Sequence, residues 1–172
     1  MKILSSSQIK SCDIATTESG VSSLNLMERA AAKCVEWIEM NFKTTNRFLI
    51  FCGTGNNGGD GLAMARMLYE KGFDVEVYID RANLNFKADA EINFRKIKKI
   101  SGIEIKDFGD FSKTIKEKTV LIDALFGYGL NRKLSGKVKN LVETLNQTTL
   151  PKVSIDIPTG LFADKVIEKD SV

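Results

Sequence analysis

The chain has 172 residues, of which 43% are hydrophobic and 27% are charged, as is usual for a globular protein. This length is enough for one domain with a proper core and is short for two. The formal net charge of +3, from 25 basic and 22 acidic residues mixed along the sequence, is too small to indicate a nucleic-acid or membrane-surface partner.

The sequence lacks features that membrane-spanning, secreted and histidine-dependent proteins have. It has no apolar stretch near the ~20 residues of a membrane span, and its first residues have no apolar core, so we expect no signal peptide. The cysteines Cys12, Cys34 and Cys52 have no metal-binding spacing and are typical of reduced thiols in a cytoplasmic protein. No histidine is present, so acid–base chemistry falls to Asp, Glu, Lys, Tyr or Cys.

The predicted elements alternate between helix and strand after two amino-terminal helices. Helices are expected at residues 7–18, 24–40, 61–71, 87–101, 110–117 and 136–146. Strands are expected at residues 48–52, 75–79, 103–105, 119–124 and 152–156. A serine at Ser22 or Ser23 is placed to cap the second helix, and Gly72 to end the third. The alternation predicts an α/β fold, three-layer and Rossmann-like, with a mainly parallel sheet, helices on both faces and strand order 3-2-1-4-5.

A glycine-rich stretch follows the first strand, with five glycines in the nine residues 53–61. Residues 53–58 match G-x-G-x-x-G, and Asp80 ends the second strand, which together would suggest a dinucleotide dehydrogenase. We expect Asp60 at or near the start of the next helix, where it would cap the helix and repel a phosphate. The carboxamides of Asn56 and Asn57 suit a cation or a polar ring better than a phosphate.

Two more strands end in acidic residues. Asp123 closes an otherwise apolar strand, and a carboxylate there must find a cation, hydrogen bonds or a proton. Asp156 ends the last predicted strand, before a turn fixed by Pro158 and Gly160, and the alternative to a functional role is that it only caps that turn. With strand order 3-2-1-4-5, both loops and the glycine-rich stretch open at the same carboxyl edge of the sheet, where such folds bind ligands.

Three motifs, in this order, resemble a known family. They are Gly53–Leu62 with Ala65-Arg66, then Asp123–Leu130, then Ser154–Leu161. Ser7-Gln8-Ile9 and Leu26–Ala30 are also similar to that family's leading helices. The sequence resembles the YjeF N-terminal domain, which includes the NAD(P)H-hydrate epimerases, and the resemblance covers essentially the whole chain, residues 1–172, as a single domain.

The resemblance implies a set of site residues. Substrate-binding positions would be Asn56, Asn57, Gly58, Gly59, Asp60, Gly127, Tyr128, Gly129, Leu130, Asn131, Arg132, Lys133 and Asp156. A potassium ion would be bound by Asn57, Asp123 and Thr159, a set of oxygen ligands that suits a hard cation. The family usually has serine where this chain has Thr159, and the hydroxyl is kept. From the residues alone, Arg132 and Lys133 either meet phosphates or are simply exposed.

The implied activity is the interconversion of the R and S forms of hydrated NADH or NADPH, with Asp123 or Asp156 as the proton carrier. The alternatives are a non-catalytic ligand- or partner-binding module of the same family and an NAD-dependent dehydrogenase. The substrate would be a small molecule, with no nucleic-acid or membrane partner, and the family is compatible with a homodimer. Family members continue with further strands, so we expect a truncated domain, or the front of a protein with a fused or separate hydrate dehydratase.

Overall fold

The computed structural model describes residues 3–44, 46–112 and 118–165. The helices in this part are α1 (Ser6–Glu18), α2 (Ser23–Asn41), α3 (Asn56–Glu70), α4 (Ala88–Ile97) and α5 (Gly136–Asn146). The strands are β1 (Arg47–Cys52), β2 (Asp74–Ile79), β3 (Glu104–Asp107), β4 (Thr119–Ala124) and β5 (Lys152–Ser154). The helix expected at 110–117 is not seen at residues 111–112, and its residues 113–117 lie outside the described part.

The strands form one parallel sheet in the order β3-β2-β1-β4-β5, as the sequence predicts. In the register of this sheet Phe51 on β1 pairs with Asp123 on β4, and Asp123 pairs with Ser154 on β5. The carboxyl ends of these three strands therefore meet side by side. The expected convergence of their loops at one edge of the sheet is confirmed.

Helices cover both faces of the sheet and make the predicted three layers. Helices α2, α3 and α4 pack together on one face, over a core that includes Phe48 and Ile50. Helix α5 packs on the other face, over a second core that includes Leu49 and Phe51. Because side chains alternate along a strand, β1 supplies both cores, and it lies in the centre of the sheet. In the described part of the chain, no helix is both long and apolar enough to cross a bilayer.

The ends of two helices confirm the expected caps. The hydroxyl of Ser22 accepts a hydrogen bond from the backbone N–H of Asn25, which satisfies a donor in the first turn of α2. At the end of α3, Gly72 has a φ of +85° and donates to the carbonyl of Tyr69, while Phe73 donates to that of Leu68. This pair of bonds is the Schellman motif, which favours glycine at the left-handed position.

Helix α3 begins at Asn56, five residues before the predicted start, and its N-cap is Gly55. Glycine disfavours a helix by about 1 kcal/mol relative to alanine, which is why the sequence predicted a loop here. Tertiary packing overrides that preference. A Cβ on Gly58 would lie 1.8 Å from the carbonyl oxygen of Gly53, and one on Gly61 would lie 2.5 Å from the Cβ of Ala124. The glycines let α3 lie close against the sheet.

Two other boundaries differ from the prediction. Helix α4 ends at Ile97 rather than at residue 101. Strand β5 ends at Ser154 rather than Asp156, although the N–H of Ile155 still donates to the carbonyl of Asp123 at 2.8 Å. Asp156 has a φ of +67°, a left-handed conformation that breaks the strand and turns the chain. The last strand therefore stops just before its acidic residue.

Candidate active site

Three segments meet at the carboxyl edge of the sheet: the start of α3, the loop after β4 and the turn after β5. Gly127, in the second segment, shows how closely they approach. A Cβ on Gly127 would lie 2.3 Å from Asp156 Oδ2 and 3.4 Å from Asn57 Cγ. Only a residue without a side chain fits at this point, and it brings the amide of Asn57 close to the carboxylate of Asp156. Residues that are 99 positions apart in the sequence thus share one site.

Asp123 anchors the turn after β5. Its Oδ1 accepts hydrogen bonds from the hydroxyl of Thr159 at 2.7 Å and from the backbone N–H of Leu125 at 3.2 Å. Its Oδ2 accepts from the backbone N–H of Thr159 at 2.8 Å and from the hydroxyl of Ser154 at 3.4 Å. Four donors therefore surround this carboxylate. These bonds hold the turn after β5 against the end of β4.

Tyr128 joins the site to the first helix. Its backbone N–H donates to Asp156 Oδ2 at 2.6 Å, and its hydroxyl donates to Asp13 Oδ2 on α1 at 3.2 Å. Burial raises the pKa of the Tyr128 phenol, and the negative charges of Asp13 and Asp156 raise it further. Asp13 was not among the residues predicted from the sequence. Nothing in its local pattern distinguishes it from any other exposed acid on a polar helix.

Asp60 does not cap a helix, so the expectation that placed it at or near the N-cap is wrong. It is the fifth residue of α3, and Gly55 holds the cap position with no side-chain cap bond. On a helix, Asp60 shares a face with Asn57 and Asn56, three and four residues before it. Burial raises the pKa of Asp60 to about 7, with the charges of Asp156 and Asp13 adding to the effect. Asp60 is the acid of this site whose protonation changes near neutral pH.

Asn57 has a side chain that only a ligand or water could satisfy. The residue is 9% exposed, and neither its Oδ1 nor its Nδ2 has a hydrogen-bond partner among the described residues. A buried amide without partners costs about 1–3 kcal/mol. Its orphaned oxygen, the carboxylate of Asp123 and the hydroxyl of Thr159 are the kinds of ligand that a hard cation takes. These donor types fit the potassium ion that the sequence led us to expect.

The three expected potassium ligands, Asn57, Asp123 and Thr159, include a single carboxylate. In residues 3–44, 46–112 and 118–165, no cluster of three or more Cys, Asp or Glu side chains is arranged to hold a metal ion. A cation here would depend on one carboxylate and on neutral oxygens. That balance of charge suits a singly charged ion.

The other predicted substrate-binding residues lie on the rim of the site or under it. Gly58 and Gly59 are buried in α3, Gly127, Tyr128 and Leu130 are half-buried, and Asn56, Gly129, Asn131, Arg132, Lys133 and Asp156 are exposed. The cations of Arg132 and Lys133 have no ion-pair partner among the described residues. Both side chains are therefore available to contact a ligand.

Asp80, the candidate ribose-binding acid, is engaged elsewhere. Its Oδ1 accepts from Lys137 Nζ at 3.2 Å and from the backbone N–H of Ala82 at 3.2 Å. Lys137 also reaches Asp107, at 3.7 Å, so a cation from α5 lies between two acids at the ends of β2 and β3. A dinucleotide lying in the manner of a dehydrogenase would have to compete with Lys137 for Asp80.

A small cavity lies behind the site, between β5, α5 and the turn at residues 158–161. Its volume is about 190 Å³, and Leu121, Val142 and Leu145 line its apolar side. Asp123 and Thr159 contribute to its wall, whereas Asn57, Asp60 and Asp156 do not. This volume is below that of most ligand pockets, so the cavity is too small for a dinucleotide.

Comparison with known proteins gives the family. A profile described as YjeF-related protein N-terminus matches residues 23–168 of this chain. The chain belongs to this family. The match takes in all three loops of the site, and it confirms the resemblance that the motifs predicted from the sequence.

Relatives of this YjeF-family chain carry informative names. It is 35% identical to the NAD(P)H-hydrate epimerase of Oenococcus oeni, over 88% of this chain and 71% of that protein. It is 36% identical to the NAD(P)H-hydrate epimerase of Anaerococcus prevotii, over 84% and 67%. A bifunctional NAD(P)H-hydrate repair enzyme, Nnr of Moorella thermoacetica, is 33% identical over 88% of this chain and 30% of its own length.

The crystal structure of the yeast protein YNL200c has the same fold. It superposes with a TM-score of 0.85, covering 100% of this chain and 77% of the yeast chain, at 24% identity. The likeness supports the strand order and layers described above.

Proposed function

We propose that this chain is an NAD(P)H-hydrate epimerase, an isomerase that interconverts the R and S forms of hydrated NADH or NADPH. The observation that carries the proposal is the buried side-chain amide of Asn57, which lies next to Asp156 and Gly127. This amide has no hydrogen-bond partner among the described residues. It is a binding group placed next to carboxylates that can handle protons. The names of the relatives in Oenococcus and Anaerococcus agree with this function.

The reaction needs an acid and a way to stabilise positive charge. The hydrate carries a hydroxyl on a ring carbon next to the ring nitrogen, and the nitrogen lone pair can expel it once it is protonated. The product of that step is an iminium cation and a water molecule. Water that adds to the opposite face gives the other epimer. Each step is acid–base chemistry, which aspartates can perform without histidine.

The residues of this chain then take distinct roles. Asp123 and Asp156 are the catalytic carboxylates expected from the sequence, and their negative charges would stabilise the iminium. The absence of a side chain at Gly127 lets the loop after β4 lie close against Asp156 and Asn57. The exposed loop that follows, ending in Arg132 and Lys133, supplies cations for the diphosphate of the substrate.

A potassium ion forms part of the proposal. Asn57, Asp123 and Thr159 would hold it, because their orphaned or clustered oxygens match a hard cation. When bound, the ion would supply a fixed positive charge that joins α3 to the turn after β5. The proton transfers themselves belong to the aspartates.

Two alternative functions are weaker. A dehydrogenase would use Asp80 for the ribose, and Asp80 is bound to Lys137 instead. A non-catalytic module of this family would have no need to keep an orphaned buried amide beside two carboxylates. Both alternatives predict that the chain leaves the two hydrates unchanged.

The surroundings of the enzyme are also part of the proposal. The bifunctional relative of Moorella supports a hydrate dehydratase, fused or separate, as the functional partner. The three cysteines are unpaired, which agrees with a reducing compartment such as the cytoplasm. The homodimer that the family resemblance allows can be tested by sedimentation analysis.

The test is an assay of epimer interconversion. Separated R and S hydrates of NADH are incubated with the 172-residue chain, with and without potassium, and resolved by chromatography. We expect interconversion that depends on potassium, and its loss in Asp123→Asn but not in the control Glu18→Gln, which changes an exposed charge on α1. Full activity in a folded Asp123→Asn variant would refute the assignment of Asp123. Hydrates that stay unchanged with every cation would refute the function.

A further inference from the structure

We propose that Asp60 is the catalytic acid of this site, the group that protonates the departing hydroxyl of the hydrate. The inference rests on the proposed function and adds to it the identity of the proton donor. The family resemblance implies that Asp60 binds the substrate, and the proton carrier expected from the sequence is Asp123 or Asp156.

The position of Asp60 suits an acid that meets a substrate. It lies one turn into α3, on the same face as Asn57, whose amide is buried and without partners. Asp60 itself is half-buried, and no described residue donates a hydrogen bond to its carboxyl group. A carboxyl group that is held out of bulk water and still has its oxygens open is free to donate to a ligand.

The groups that face Asp60 come from three other elements, and they favour its protonated form. Asp13 on α1 and Asp156 after β5 are both close enough for their charges to raise its pKa. Cys34 on α2 also lies within electrostatic reach, since Asp60 raises the pKa of that thiol. With burial as the largest cause, the pKa of Asp60 is about 7, so both protonation states are populated at neutral pH.

The other two carboxylates of the site are occupied. Asp123 has four donors around it, two of them from Thr159, and these bonds hold the turn after β5. Asp156 accepts, at its Oδ2, a 2.6 Å bond from the N–H of Tyr128. Of the three, Asp60 is the one whose carboxyl group accepts no hydrogen bond from a described residue.

Asp60 and Asp156 together supply the one proton that the reaction needs and take one back. Asp60 gives its proton to the hydroxyl, the carbon–oxygen bond breaks with its electron pair leaving in water, and the nitrogen lone pair forms the iminium double bond. Water then adds to the other face, the nitrogen regains its lone pair, and the proton released returns to this pair of carboxylates. The pair begins and ends with one proton, and nothing is oxidised or reduced.

The first test is the pH dependence of kcat for epimerisation by the full chain. We expect a plateau at low pH and a fall of about tenfold per pH unit above pH 7, where Asp60 is ionised. Asp60→Asn, which has the same shape, should lower kcat by roughly 100-fold with little change in KM, and Asp60→Glu should restore part of it. A folded Asp60→Asn variant with wild-type kcat would overturn the proposal.

The second test moves the pKa without touching Asp60. Asp13→Asn removes a negative charge that faces Asp60, so the falling limb of the profile should move to lower pH. Glu18→Gln removes an equal charge farther along the same helix and should leave the limb in place. If Asp13→Asn remains active and its kcat falls at the same pH as in the wild type, Asp60 is not the group whose ionisation causes that fall.

Carbon-13 NMR of the aspartate carboxyl groups separates the two proposals. It should show a carboxyl that titrates near pH 7 in the wild type and is missing in Asp60→Asn, whether or not the hydrates react. A wild-type chain that titrates this way but does not epimerise overturns both proposals for catalysis. An active chain whose Asp60 titrates near its ordinary value of 3.8 overturns only the role of Asp60.

Discussion

Asp123 and Thr159 are joined twice, by the backbone N–H of Thr159 at 2.8 Å and by its hydroxyl at 2.7 Å. The same hydroxyl accepts a hydrogen bond from the N–H of Phe126 at 3.1 Å. A buried threonine at 6% exposure therefore ties the end of β4 to the turn after β5. The hydroxyl of Thr159 is the side-chain group that makes this connection.

Thr159→Val should destabilise the protein, because it leaves the N–H of Phe126 without a partner and removes the shorter of the two hydrogen bonds to Asp123 Oδ1. The expected loss is about 1–3 kcal/mol of unfolding free energy, measured by urea denaturation. Thr159→Ser is the matched control and should stay within ~1 kcal/mol of the wild type, since it keeps both bonds. Equal stability of the valine and serine variants would show that the hydroxyl contributes nothing here.

Gly58→Ala should be strongly destabilising, because the new Cβ would lie 1.8 Å from the backbone carbonyl oxygen of Gly53. Backbone cannot yield as a flexible side chain can, so the start of α3 must shift, at a cost of about 3 kcal/mol or more. The control is Gly55→Ala, where a Cβ meets nothing within 4 Å. Thermal unfolding of the two variants provides the comparison, and a similar Tm for both would contradict this packing.

Asn57→Ala should separate stability from ion binding. It removes two buried polar atoms that have no partners, so the unfolding free energy without potassium should stay the same or rise. Potassium chloride should raise the Tm of the wild type relative to tetramethylammonium chloride of equal ionic strength, because a bound ion stabilises the folded state.

The Asn57→Ala variant should lose that response to potassium. Asn56→Ala, the exposed neighbour, should keep it. A wild-type Tm that is indifferent to potassium, or an Asn57→Ala variant that still responds, would remove Asn57 from the proposed potassium site.

The pH dependence of stability should report the buried charge of Asp60. Its pKa is about 7 in the folded state against 3.8 as the ordinary value, so folding favours the protonated form. The contribution of Asp60 is fully present below pH 3.8 and is lost as the pH rises through 7. The full shift corresponds to roughly 4 kcal/mol, and the remaining solvent contact reduces the expected loss to about 2 kcal/mol.

The unfolding free energy of Asp60→Asn should therefore equal that of the wild type at acid pH and exceed it above neutral pH. Urea denaturation at a series of pH values measures this difference. Glu18→Gln, with an exposed acid, should follow the wild type throughout. A constant difference between Asp60→Asn and the wild type from acid to neutral pH would mean that folding does not change the pKa of Asp60, which contradicts a folded-state pKa of about 7.

The sequence alone determined much of the fold and the loops of the site. Apolar runs such as 119–124 bury both faces of a strand, helical periodicity fixes α2 and α5, and the chirality of crossovers then leaves few strand orders. Strands that run parallel bring their carboxyl ends together, so Asp123 and Asp156 were predicted at one edge from the sequence pattern. The glycine-rich stretch was predicted as a site for the same reason.

Only the tertiary structure decided what the glycine-rich stretch is and which acid it presents. Local propensity favours a loop for five glycines in nine residues, whereas the contacts of Gly58 with Gly53 and of Gly61 with Ala124 make it the start of α3. That shift moves Asp60 from a cap into the helix. Its pKa near 7 arises from burial and from Asp13 and Asp156, which are far away in the sequence. Desolvation and charge act through space, and no local pattern contains them.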